Sequence, residues 1–258
     1  MIHKQGIREI KIYLFGTMLQ MALICCLVAI LKTANIQYPD VLNLLFIAIG
    51  GTSSALWGMI VSKKSGHILS YKQVLKDFFS LKASIRLYLL VLGFLFVIFG
   101  KQIILGKVQS NVHWHTFVLA FITAIIFGGI EEIGWRYTFQ PLLEKKFPFE
   151  IASLMTFLAW GIWHYMYFYI VDGFEGLVHS TFLIGLLGSC FIMGAIYKVS
   201  QNLWLCVMYH CLLNVFSQTL IPNQISEVII YNGIAILVAI VMVRNESVCK
   251  FFEVNQAV

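Results

Sequence analysis

The chain alternates long apolar runs with short polar breaks. At helical rise, crossing the hydrocarbon core of a bilayer takes about 20 apolar residues. Eight runs come near that length, at about 12–31, 41–62, 87–105, 116–138, 151–171, 181–197, 203–221 and 228–243. Backbone polar groups in lipid must be satisfied within the segment, so runs of this length are read as helices. The pattern therefore predicts an all-α polytopic membrane protein of about eight transmembrane helices. No internal repeat, low-complexity tract or soluble second domain is visible, and the first apolar run lacks a small-residue cleavage site, so it reads as a span rather than a cleaved signal.

Basic residues orient the spans, because cytoplasmic loops collect Lys and Arg. With the N-terminus inside and the spans alternating, only Lys32, Lys101 and Lys107 of the 18 basic residues fall outside. This asymmetry predicts both termini in the cytoplasm. It also accounts for the net charge of +6 as topology rather than nucleic-acid binding. The long inside loop mixes Leu69, Val74, Leu75, Phe78, Phe79 and Leu81 with Lys72, Lys76, Asp77 and Lys82. A helix lying on the anionic leaflet and an ordinary basic loop both fit that pattern.

Composition agrees with the hydropathy. The chain is 60% apolar and 12% charged, with mean hydropathy +0.85. A soluble domain carries about twice that charged fraction. The cysteines form no C-x-x-C pair and lie mostly in apolar runs, as small buried residues do. Cys249, just beyond the last run, is a weak acylation candidate. Gly128, Gly129, Gly185 and Gly188 are expected at close helix contacts.

Against this background a few polar residues stand out. An ionisable side chain in lipid costs roughly 3 kcal/mol or more and marks function by default. The run 116–130 ends in Glu131, Glu132 and, four residues on, Arg136. Glu132 and Arg136 share a helical face and can pair as scaffold. Glu131 points about 100° away, without that partner, and is assigned the chemistry as a general base. In a later span His164 lies near mid-membrane, with Trp160 one turn before it as a wall. In another, His210 and Asn214 are four apart and can donate to one oxyanion. The plainer readings are an interfacial ion-pair cluster and interhelical hydrogen bonds. His113 and His115 flank Trp114 at an interface, where a belt role is favoured over a metal pair. His179 reads as interfacial and His3 and His67 as solvated, while Tyr165, Tyr167 and Tyr169 are at most residues that border the site.

The order Glu-Glu-x-x-x-Arg, aromatic-x-x-x-His, His-x-x-x-Asn resembles the CAAX prenyl protease type II family, also called CPBP or Abi. That family includes lysostaphin-resistance-like and bacteriocin-immunity-like members. Glu131, Glu132 and Arg136 match its first motif, and His210 and Asn214 its third. The second departs from it, with Trp160 where the family usually has Phe. The resemblance covers about residues 114–220. It divides the chain into N-terminal helices with the basic loop (1–113), a catalytic core (114–221) and a last helix with a tail (222–258). It implies peptide-bond hydrolysis within the membrane: Glu131 with His164 activates water, and His210 with Asn214 holds the oxyanion. The implied setting is a bacterial cell membrane, with peptide or pheromone maturation or bacteriocin self-protection as roles. Membrane lipids and a peptide or protein substrate are the expected partners, and nucleic acid is not. Members have been described as metal-dependent, so a divalent metal such as zinc on Glu131, His164 and His210 stays open beside a metal-free mechanism. His-Glu-x-x-His is absent. Two other classes remain: a non-enzymatic immunity or scaffold protein binding a toxin or sensor, and a proton-coupled transporter. The transporter is disfavoured because neither paired discontinuous helices nor inverted halves are evident.

Overall fold

The computed structural model describes residues 2–110 and 112–252. The side chains of residues 2–5, which include His3 and Lys4, and the tail beyond residue 252 lie outside the described residues. Among the described residues the regular structure is helical apart from one isolated antiparallel bridge, Val108 to Leu220. The chain is an all-α polytopic membrane protein.

Six of the described helical segments are long and apolar enough to cross a membrane. They are Gly6–Thr33 within α1 (Ile2–Thr33), Asp40–Lys64, α5 (Ile85–Ile104), Trp114–Glu144, α10 (His179–Ser200) and α12 (Ile225–Arg244). The other two expected spans are α9 (Phe149–Ile170) and α11 (Leu203–Thr219), helices that carry the site histidines. At 17 residues α11 is short for a full crossing.

Two segments are interrupted, contrary to the continuous spans read from hydropathy. Asp40–Lys64 breaks at Thr52 into α2 (Asp40–Gly51) and α3 (Ser53–Lys64). Trp114–Glu144 runs as α6 (Trp114–Phe127), a 3-10 turn (Gly129–Glu131), α7 (Glu132–Gly134), a π-turn (Trp135–Phe139) and α8 (Gln140–Glu144). Hydropathy averages over about 19 residues and cannot see a break that leaves the segment apolar. The absence of discontinuous helices is therefore no ground for setting a transporter aside.

One end of the bundle collects the basic loops. Gly6 lies against Lys146, Lys198 pairs with Glu144 at 2.6 Å, and Arg244 pairs with Glu150 at 2.7 Å. Arg86 stacks on Phe251 there, and Asn202 Nδ2 donates to the carbonyls of Ser80 and Lys82. Both ends of the described chain thus sit near the same end of the bundle. The opposite end is clasped by ion pairs from Lys32 to Asp172 and from Lys101 to Glu227.

The basic loop contains a helix, α4 (Tyr71–Phe78), with Ser70 as its side-chain cap. Val74 and Phe78 are buried, while Leu69, Leu75, Phe79 and Leu81 are exposed. The helix therefore docks one face on the bundle and keeps apolar surface free, the disposition that suits a bilayer surface.

Close packing depends on small residues, but not on all those expected. α3 carries Ser54, Gly58 and Ser62 at four-residue spacing, each buried. Such a small-residue stripe lets helices approach closely. Here it meets the polar end of the fourth segment. A Cβ on Gly58 would lie 2.8 Å from Gly134 Cα and 2.9 Å from Ile133 O. Gly188 likewise makes room for Asn232, but nothing lies within 4 Å of a Cβ on Gly185. The expectation for Gly185 is therefore corrected. Gly58→Ala is expected to cost about 1–3 kcal/mol by overpacking. Its thermal midpoint in detergent should fall by several degrees, whereas Gly93→Ala, with open space around it, should leave the midpoint unchanged or raise it.

Candidate active site

Helix α6 ends because Gly128 leaves the helical region, at φ −131° and ψ −58°. Its N–H still bonds Ala124 O at 2.8 Å, and Glu131 N–H closes onto Gly128 O at 3.0 Å. The backbone thus tightens into one 3-10 turn and then widens into the π-turn. Such π-turns often mark functional sites. From Glu131 to Gln140 every residue is buried. The acids and Arg136 are thus shielded from solvent within the bundle.

The two acids face different helices. Glu132 Oε1 accepts from His210 Nδ1 on α11 at 2.7 Å, and its Oε2 lies 3.5 Å from Arg136 Nε. Both members of the Glu132–Arg136 pair are fully buried. The guanidinium also lies over the Trp160 ring at 4.4 Å and donates to Cys190 Sγ at 3.8 Å. Removing one partner of such a pair costs about 3–5 kcal/mol, because the other charge is left buried alone. Glu132 and Arg136 therefore pair as the spacing predicts, and Glu132 also holds His210.

Glu131 turns toward α9. Its Oε2 accepts a hydrogen bond from Trp160 Nε1 at 2.8 Å. Trp160 is therefore a donor as well as the expected wall. His164 Nδ1 is 2.9 Å from the Trp160 carbonyl. A carbonyl only accepts, so Nδ1 carries the proton and Nε2 is left free. The Trp160 ring packs against both imidazoles, with centroids 4.9 Å from His164 and 5.4 Å from His210. Glu131, His164 and His210 are thus gathered around one indole.

Asn214 joins them through Gly128. A Cβ built on Gly128 would lie 2.6 Å from Asn214 Nδ2 and 3.2 Å from His210 Nε2. The amide and the imidazole therefore converge on one small space beside a residue that lacks a side chain. With Nδ1–H committed to Glu132, Nε2 donates only when the ring carries both protons, and Glu132 supplies the counter-charge.

Sequence reasoning missed the support from α3 and α9. Trp163 Nε1 donates to Ser53 Oγ at 2.8 Å, and Ser54 Oγ lies 3.5 Å from Glu131 O. Thr138 Oγ1 bonds Ser62 Oγ at 2.8 Å. The four-residue spacing of Ser54, Gly58 and Ser62 was the available signal. Tyr167 stacks on Trp163, and Tyr165 pairs with His179 at 2.9 Å, so both border the cluster without entering it. His113 caps α6, and its ring stacks on that of His115.

Among the described residues no three His, Cys, Asp or Glu side chains converge to hold an ion. Glu131 Oε2 is held by the indole, and His210 Nε2 is aimed toward Gly128 beside Asn214.

A buried acid, two imidazoles and an amide brought together in a helical membrane bundle are groups able to carry general acid–base chemistry. Residues 113–216 match the family model for type II CAAX prenyl endopeptidases, described as Rce1-like. The match spans all three motifs, so residues 113–216 are similar to CAAX-type endopeptidases. No curated protein matches the chain.

Proposed function

We propose that the protein is an endopeptidase that cuts small membrane-associated peptides or the C-terminal segments of membrane-anchored proteins. One observation carries the reading. Glu131 is held by Trp160, whose ring touches both histidines, while His210 and Asn214 converge beside Gly128. Glu131 takes a proton from a water whose oxygen attacks the scissile carbonyl, with the free Nε2 of His164 as a second acceptor for that water. The new oxyanion lies between doubly protonated His210 and Asn214, where preorganised donors act without reorganisation. The proton is then passed to the leaving amine, and both products are released. The active side faces a bacterial cytoplasm, following the basic loops. The roles are peptide maturation or bacteriocin self-protection, as the family resemblance implies.

The test is cleavage of a lipid-anchored peptide by protein in proteoliposomes, with and without a strong chelator. Glu131→Gln, His164→Ala, His210→Ala and Asn214→Ala are each compared with the parent chain. Loss in all four with no chelator effect is expected. Inhibition by chelator, restored by zinc, would overturn the metal-free mechanism. Cell protection that persists in Glu131→Gln and His210→Ala, without any cleavage, would point instead to a toxin- or sensor-binding scaffold.

A further inference from the structure

The hydrogen bond from Trp160 to Glu131 joins two residues to which the motif comparison gave separate tasks. The indole is buried, and its N–H ends on Glu131 Oε2 at 2.8 Å. The backbone carbonyl of the same residue fixes the proton of His164 on Nδ1. Its ring face lies under the Arg136 guanidinium at 4.4 Å, so the indole has little freedom to turn away. A hydrogen bond of this kind ties down one carboxylate oxygen and leaves Oε1 as the atom able to take a proton. A phenylalanine at this position would supply the wall and the carbonyl but could not hold the acid.

We propose that Trp160 is a positioning residue that sets the carboxylate of Glu131 and the tautomer of His164 together, so that both address one water. The proposal rests on the protease reading. It assigns to this chain a positioning device that a Phe at the same place lacks. The base here is oriented by a neighbouring helix rather than by its own turn. That matters because Glu131 sits on a 3-10 turn next to two glycines, where the backbone alone constrains it little.

The test replaces the N–H while keeping the shape. Trp160→Phe removes the donor and shortens the ring. Incorporation of benzothienylalanine at position 160 exchanges N–H for sulfur at nearly constant volume. Both are assayed as full-length protein in proteoliposomes on a lipid-anchored peptide. A hydrogen bond to a charged group supports a loss of about ten- to a hundredfold. That loss is expected in kcat, with KM within twofold and the thermal midpoint of the benzothienyl protein unchanged. Ultraviolet resonance Raman difference spectra, parent minus Trp160→Phe, should show a hydrogen-bonded indole that becomes free in Glu131→Ala. A benzothienyl protein with parental kcat, from a parent that cleaves, would overturn the role of Trp160 and leave the protease reading intact. A parent that cleaves nothing while its indole signal persists would overturn the protease reading, and the positioning role with it.

Discussion

Glu131→Gln is expected to lower kcat on a lipid-anchored peptide by about a thousandfold, within the 10²–10⁴ range of a positioned base. The substitution keeps the side-chain shape, and its amide oxygen can still accept from Trp160 Nε1, which lies 2.8 Å from Oε2 in the parent. Nothing in the Glu132–Arg136–His210 linkage is touched. The thermal midpoint should therefore stay close to that of the parent. This separates loss of chemistry from loss of fold, which Glu132→Gln cannot do because it strands a buried guanidinium. A variant that retains more than a tenth of parental kcat would remove Glu131 from the mechanism.

The second large effect is expected at a residue with no side chain. In Gly128→Ala the new methyl carbon would lie 2.6 Å from Asn214 Nδ2, closer than real Cβ atoms approach, and 3.2 Å from His210 Nε2. The amide must swing away, and the imidazole is crowded while Glu132 holds its other nitrogen. Losing one preorganised oxyanion donor costs about 10²–10³ in kcat. A fall of that size is expected, while peptide binding, read as KM, changes little. Gly185→Ala is the matched control, since open space surrounds that position. Equal activities for the two alanine variants would show that the space beside Gly128 holds no developing charge.

The polar clusters were legible because each interrupts an apolar run, where a carboxylate or imidazole needs a reason. The i, i+4 spacing correctly paired Glu132 with Arg136 and set Asn214 one turn beyond His210. It could not show that Glu132 also reaches across to α11, since contacts between helices leave no periodic trace. Trp160 was read as a wall because an aromatic one turn from a histidine looks the same whether or not its N–H is used. The breaks at Thr52 and Gly128 were hidden for another reason. Both lie in segments whose mean stays apolar, so hydropathy passes over them, and Gly128 and Gly129 looked like packing residues. Gly185 shows the converse error: a small residue in a span need not face a neighbour.

The broken fourth segment has a consequence for the supply of the second reactant. Hydrolysis consumes one molecule of solvent per bond cut, yet hydrocarbon offers that molecule nothing to hold. A continuous helix conceals its own amides and carbonyls and would keep such a depth dry. Unwinding from Gly128 to Glu131 loosens peptide groups from the regular ladder, and irregular backbone at this level persists only where protein or moisture meets it. The kink that aims the acid thus also creates a hydrophilic foothold beside it.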